Sequence, residues 1–217
     1  MKGDKLVIHD GHRRAVRHIL PLLLPQIEKT LSTFIITIAG ESGSGKSEIA
    51  AVLSESLLKE GIKSLILQQD DYFVYPPKTN ARKRKEDIGH VGMSEVHLAQ
   101  LDRDLKDIME GKSEIVKPLV IFEEDQITQE TVKLKGIKAV IVDGAYTTVL
   151  NNVHRHIFID RTHIDTRAAR KRRAREPQDD FLEKILEIEH KIISSHKSRA
   201  DIIITKNYEI EKNDSTG

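Results

Sequence analysis

From residue 34 onward, short unbroken apolar runs alternate with longer stretches in which apolar residues recur every three or four positions. The runs are FIITIA (34–39), SLILQ (64–68), AVIVD (139–143), HIFID (156–160) and DIIIT (201–205). Their consecutive β-branched residues are the pattern of parallel strands covered on both faces. Between the first two runs, Ile49, Val52, Leu53, Ser56 and Leu57 fall at helical spacing and Gly61 supplies a stop. Ser94 is the expected N-cap of a helix that carries Leu98, Leu101, Leu105 and Ile108 and ends at Gly111. Another helix is predicted from about Phe181 to Ser194, with Leu182, Ile185, Leu186, Ile188, Ile192 and Ile193 on its apolar positions. PLVIF and ETVKL read as a small strand pair beside the main sheet. Strands alternating with helices predict a three-layer α/β/α domain with a mainly parallel, five-stranded sheet.

Residues 11–31 are basic and then apolar, with Arg13, Arg14 and Arg17 followed by Ile19, Leu20, Leu22, Leu23 and Leu24. They predict a helix or two packed on the main body. The stretch ILPLLLPQI is short and interrupted by two prolines, so it does not read as a secretory segment. No run approaches the roughly 20 apolar residues of a membrane span. With 217 residues, 38% hydrophobic and 32% charged, the chain is long enough for one full core. A formal net charge of +1 gives no global field toward nucleic acid or membranes. The absence of cysteine excludes disulfides, thiolate catalysis and Cys-based zinc sites. The expectation is a cytoplasmic protein without nucleic-acid or membrane partners, for which self-association is left open. Ten histidines show no ligand spacing, and His154 and His156, at a strand start, are expected at the surface.

The chemistry enters at AGESGSGKSE (39–48), where Gly40, Gly45, Lys46 and Ser47 match G-x-x-x-x-G-K-[ST]. A strand enters this loop and an amphipathic helix leaves it. The backbone N–H groups from Gly40, Glu41, Ser42, Gly43, Ser44 and Gly45 through Glu48 are therefore expected to cradle a nucleoside triphosphate, with help from the helix dipole. Lys46 reaches the β- and γ-phosphates in such loops and the Ser47 hydroxyl ligates Mg²⁺. The remaining Mg²⁺ contact should come from a carboxylate ending a strand. Asp143 is the first candidate, and Asp160, followed at once by Arg161, is its competitor.

The stretch LILQQDDYFVYPP bears on where the phosphate goes. This strand follows the loop in sequence, and its end is expected beside the loop at the carboxyl edge of the sheet. A carboxylate there can accept a hydroxyl proton as the oxygen attacks, and both Asp70 and Asp71 are candidates. Arg167, Arg170, Lys171, Arg172, Arg173 and Arg175 place six cations in nine residues. On a helix, Arg167, Arg170 and Lys171 share a face that can close over a triphosphate, the bland alternatives being a solvated helix or a nucleic-acid patch. Arg82, Lys83, Arg84 and Lys85 read as a solvated run, with contact to an anionic acceptor as the alternative.

AGESGSGKSE, LQQDDYFVYPP, AVIVDGAYTTVL, IFIDRTHIDTRAARKRRARE and RADIII, in this order and spacing, resemble the uridine kinase and phosphoribulokinase group of P-loop kinases. The resemblance spans about residues 34–205. It implies a nucleoside/nucleotide-kinase-like P-loop NTPase fold with a small acceptor-side strand pair and a helical lid at about 163–180. It divides the chain into an N-terminal helical extension (1–32), a kinase domain (33–206) and a C-terminal tail (207–217). It also implies ATP and Mg²⁺ as cofactors and γ-phosphate transfer to a small-molecule hydroxyl, uridine, cytidine or a related nucleoside or sugar. In the implied roles Asp70 is the base, Asp143 and Ser47 serve Mg²⁺, and Lys46, Arg167, Arg170 and Arg173 face the phosphates. The family's pyrimidine-reading Tyr and His fall here on Val120 and about Asp125, and its Asp-His-Pro triplet is replaced by EDIGHVGMSEV, where Asp87 and His90 are the substitutes. Acceptor-independent NTP hydrolysis and a non-enzymatic nucleotide-binding module are the rival classes.

Overall fold

The computed structural model describes residues 6–173 and 179–213, without the side chains of 169, 172 and 173. The strands are β1 (Phe34–Gly40), β2 (Ser64–Gln68), β3 (Glu114–Ile121), β4 (Gln126–Lys133), β5 (Ala139–Asp143), β6 (Arg155–Ile159), β7 (Ile202–Ile204) and β8 (Ile210–Lys212). The helices are α1 (Asp10–Lys29), α2 (Lys46–Lys59), α3 (Pro77–Glu86), α4 (Leu98–Met109), α5 (His163–Arg173) and α6 (Asp180–Ser195).

The main sheet runs in the order β2-β5-β1-β6-β7-β8. Its first five members are the five predicted strands, all parallel to their neighbours. The sixth, β8, is antiparallel to β7 and is drawn from the segment expected to be a tail. Three residues at a polar chain end carry too little periodicity to be seen in sequence, and pairing with the β7 edge creates the strand. The predicted strand pair is present as antiparallel β3-β4.

Every residue of β1 is buried, and the strand divides its side chains between two cores. Phe34, Ile36 and Ile38 meet α1 and α2 through Ile19, Leu23, Ile49 and Leu53. Ile35 and Ala39 face the other side with Leu101, Leu105 and Ile193 of α4 and α6. That division is the physical basis of the three layers.

The basic-apolar segment forms a single helix, α1, that continues through Pro21 and Pro25. Both prolines face solvent, so the carbonyls they leave without a helical donor can meet water. Its opposite face is fixed by Ile19, Leu23 and Ile27, all fully buried. The expected N-cap at Ser94 is displaced. Residues Met93–Glu95 form a 3₁₀ turn, α4 starts at Leu98, and Ser94 Oγ donates instead to the His90 carbonyl at 3.3 Å.

Candidate active site

Three glycines with positive φ shape the turn between β1 and α2: Gly40 (+148°), Gly43 (+75°) and Gly45 (+104°). A Cβ on Gly40 would lie 2.9 Å from the Ile159 carbonyl, so the first glycine is required by space as well as by conformation. Lys46 opens α2 and its Nζ donates to the Glu41 carbonyl at 3.0 Å. The loop lies at the floor of a cavity of about 220 Å³ lined by Ser42, Gly43, Lys46, Ser47, Asp70, Asp143 and Arg170 among others.

The strand order corrects one expectation. β2 does not lie beside β1, because β5 pairs with both and sits between them. Asp143 is in register with Ile38 on one side and Gln68 on the other, which places its carboxylate between the loop and Asp70. Burial pushes the Asp143 pKa up, opposed by Lys46 and by a hydrogen bond with Ser47, while the charges of Asp70 and Glu48 raise it further. The folded state therefore holds its proton more tightly than the unfolded chain does. The stability Asp143 contributes is present below the ordinary aspartate range and is lost as pH rises through the elevated value. We expect Asp143→Asn to melt higher than the parent at pH 7 without nucleotide, with the gap closing as pH falls toward the ordinary range, in thermal unfolding at a series of pH values. Asp160, the rival carboxylate, is 2.7 Å from Lys197 Nζ and does not line the cavity.

The two adjacent aspartates part company in a 3₁₀ turn, Gln69–Tyr72. Asp70 is half-buried and lines the cavity. Asp71 turns away: its Oδ2 lies 2.8 Å from Lys117 Nζ, and its Oδ1 accepts from the Val120 N–H at 3.2 Å. Both members of the Asp71–Lys117 pair have side chains only 5% exposed. Removing one partner strands a buried charge, so Asp71→Ala should cost about 3–5 kcal/mol in urea unfolding. The sequence neighbours thus differ in kind: one faces the cavity and the other ties β3 to the turn.

The lid arginines also separate. Arg170 is buried, with Cγ 3.1 Å from where a Gly43 Cβ would be. Its Nη1 donates to the His163 carbonyl and to Thr166 Oγ1, and its Nε and Nη2 are buried without a hydrogen-bond partner. Arg167 is far more open: its side chain is 63% exposed, and its Nε, 3.8 Å from Glu183 Oε1, shares that carboxylate with Arg170 Nη2 at 3.9 Å. The expected contact of Arg173, with those of Arg172 and Arg175, lies outside the described residues. Glu48 is buried, and its Oε1 faces the Val7 N–H at 3.5 Å rather than the cavity.

The far wall of the cavity holds groups that the sequence reading missed. Arg84 is not a solvated cation. Its Nε donates to Glu95 Oε1 at 2.5 Å, and its Nη2 donates to Glu95 Oε2 at 3.0 Å and to Glu189 Oε1 at 2.9 Å. Asn80 Nδ2 also donates to Glu95 Oε1 at 2.7 Å, and Glu95 is fully buried. Asn80 and Arg84 stand one helical turn apart on α3, a spacing hidden by the charge of the surrounding run. Tyr146 lines the same wall, its phenol kept neutral by burial, which raises its pKa.

The proposed substitutes do not reach the cavity. Asp87 caps a turn by accepting from the Gly89 N–H at 2.8 Å, and His90 stands behind Asn80 at 2.9 Å. Asp125 caps α3, accepting from the Lys78 N–H at 2.7 Å and Thr79 Oγ1 at 2.7 Å, while Val120 is fully buried. His154 and His156 are not simple surface residues either. His154 Nδ1 accepts from the Ile35 N–H, and His156 pairs with Thr37, burial lowering both pKa values.

A glycine loop at the tip of a central parallel strand, an acidic pair of strand tips beside it and a polar far wall define a P-loop phosphotransferase acting on a small molecule. The sequence profile of the phosphoribulokinase/uridine kinase family matches residues 35–209, and the chain belongs to that family. A uridine kinase of Leuconostoc citreum is 26% identical over 188 residues, covering 80% of this chain and 88% of the relative. The bifunctional alpha-galactosidase/sucrose kinase AgaSK of Mediterraneibacter gnavus is 26% identical over 186 residues, 79% of this chain and only 20% of that much longer protein. Among solved structures, a possible uridine kinase from Bacillus stearothermophilus shares the fold with a TM-score of 0.61 and 20% identity, over 88% of this chain and 97% of that one.

Proposed function

We propose that this chain is an ATP- and Mg²⁺-dependent kinase whose acceptor is a neutral polyhydroxylated molecule, a free sugar or the sugar of a nucleoside. The donor end of the cavity is cationic, with Lys46 and Arg170 above the loop amides. The Nε and Nη2 of Arg170, without a hydrogen-bond partner although Nη2 is 3.9 Å from Glu183, are donors suited to phosphate oxygens. Ser47 and Asp143 would hold Mg²⁺, which would supply positive charge against the phosphates. Asp70 accepts the acceptor's hydroxyl proton as the oxygen attacks the γ-phosphorus and the bond to ADP breaks.

The single observation carrying the acceptor class is the Glu95–Arg84–Glu189 network. The described cation on that wall is already bracketed by two carboxylates, and Asp70 adds a third. Glu95 is occupied by Asn80, Arg84 and the Gly92 N–H, so Asp70 and Glu189 are the carboxylates of this wall that can accept from hydroxyl groups, and their charge opposes a phosphorylated acceptor. It does not reproduce the polar readout expected for a pyrimidine at Val120 and Asp125. The sugar named for AgaSK and the nucleoside named for the Leuconostoc relative both fall within the proposed class. The test is ADP release with Mg²⁺ and ATP over a panel of free sugars, sugar phosphates and nucleosides. Acceptor-dependent release with unphosphorylated polyols is expected. Equal release without acceptor would make the protein a hydrolase, and release only with sugar phosphates would overturn the acceptor class.

A further inference from the structure

The side chains of Glu41, His163 and His190 come together beside the phosphate loop, where the proposed phosphotransfer gives none of them a role. Glu41 is the residue after the first glycine of the loop, His163 opens α5, and His190 lies in the third turn of α6. The Glu41 carboxylate is buried. Its Oε1 lies 2.6 Å from His190 Nδ1, and its Oε2 accepts from the His163 backbone N–H at 2.5 Å. His163 Nδ1 is 3.5 Å from the same Oε2 and is buried with no hydrogen-bond partner. The two imidazoles meet edge to face with centroids 5.3 Å apart, and one donor atom from each of the three residues lies within 4.8 Å of the others.

We propose that these three side chains form a second cation site, distinct from the Mg²⁺ position and selective for a transition metal of the Zn²⁺ type. Two imidazole nitrogens and one carboxylate are a donor set that Mg²⁺ disfavours and Zn²⁺ accepts, with a fourth position left for water. Ligands about 2.1 Å from a tetrahedral ion stand roughly 3.4 Å apart. His163 Nδ1 stands at about that spacing from Oε2, and His190 Nδ1 lies closer to the other oxygen, Oε1, so His190 has to withdraw for both rings to share one ion with the carboxylate. In the metal-free protein His190 Nδ1 is hydrogen-bonded to the Glu41 carboxyl group. On binding, the neutral ring would present Nδ1 to the metal and keep its proton on Nε2, and a side chain 36% exposed can exchange that proton with solvent. Arg170 donates to the His163 carbonyl and Thr166, and its charge also acts on Glu41, so the ion would share that carboxylate's field with it. The ion would join the phosphate loop, the lid helix and α6 at one point. Three sequence positions separated by 122 and 27 residues carry no motif, which is why spacing alone gave no ligand signal among the histidines.

The site is tested on the full chain by isothermal titration with ZnCl₂ in excess Mg²⁺, alongside Co²⁺ absorption to report tetrahedral nitrogen and oxygen ligation. One strong Zn²⁺ site per chain is expected, weakened at least about tenfold by His163→Ala or His190→Ala and at least about 100-fold by both together. His154→Ala should leave it unchanged. Zn²⁺ should raise the melting temperature of the parent but not of the double variant. If either alanine variant fails to fold by circular dichroism, His163→Gln and His190→Gln replace them. Absent binding, or equal Zn²⁺ affinity in parent and double variant, overturns the proposal. Neither result depends on the acceptor or on turnover, so its failure would leave the kinase reading standing.

Discussion

Asp70→Asn should lower phosphoryl transfer by about 10²–10⁴, the range for a lost general base, while leaving ATP affinity unchanged. The asymmetry follows from position. Asp70 lines the cavity at the end of β2, with β5 and Asp143 between it and the phosphate loop. In the proposed mechanism it meets the acceptor hydroxyl and not the loop that binds ATP. An amide of the same shape keeps the turn Gln69–Tyr72 but cannot take a proton. Single-turnover transfer to the best acceptor, measured beside equilibrium ATP binding, separates the two quantities. Near-parental transfer would remove Asp70 from the role. Asp71→Ala supplies the contrast, because it should lose stability through Lys117 while its folded fraction still transfers phosphate.

The second large effect is expected at Arg170. Replacing it with Met should reduce kcat by roughly 10³ or more, the scale of a lost arginine contact to a transferring phosphoryl group. The side chain is buried against Gly43, and two of its guanidinium nitrogens have no hydrogen-bond partner. Charge developing on the γ-phosphate would meet donors that are already desolvated, where each contact is worth more than in water. Arg167→Met, at a side chain 63% exposed, should change kcat little by comparison. Steady-state kinetics at saturating ATP decide between them; equal losses in both variants would show that the lid closes in a way that brings Arg167 inward.

How much of this was legible beforehand can be seen residue by residue. The phosphate loop was fully readable because its chemistry is local. Gly40, Gly43 and Gly45 adopt backbone angles that other residues rarely reach, so the motif and the geometry are the same fact. The five parallel strands were equally plain, since burial on both faces demands continuous apolar runs. The Arg84–Glu95–Glu189 network was not, because its members come from α3, a 3₁₀ turn and α6, and each looks like an ordinary surface charge in its own stretch. The reading of Arg82–Lys85 as solvated failed for this reason at Arg84.

The amino-acid order by itself determined the family, the strand and helix content and the loop that cradles phosphate, all of which depend on contacts within a few residues or on periodicity. Only the tertiary structure decided that β5 stands between β1 and β2, that Asp70 faces the cavity while Asp71 binds Lys117, and that Arg170 is inward and Arg167 outward. It also brought Glu41, His163 and His190 to one point. The physical reason is common to all of them. Strand order and side-chain direction are set by which distant surfaces pack together, and a polar residue acquires its partner only after that packing has excluded water.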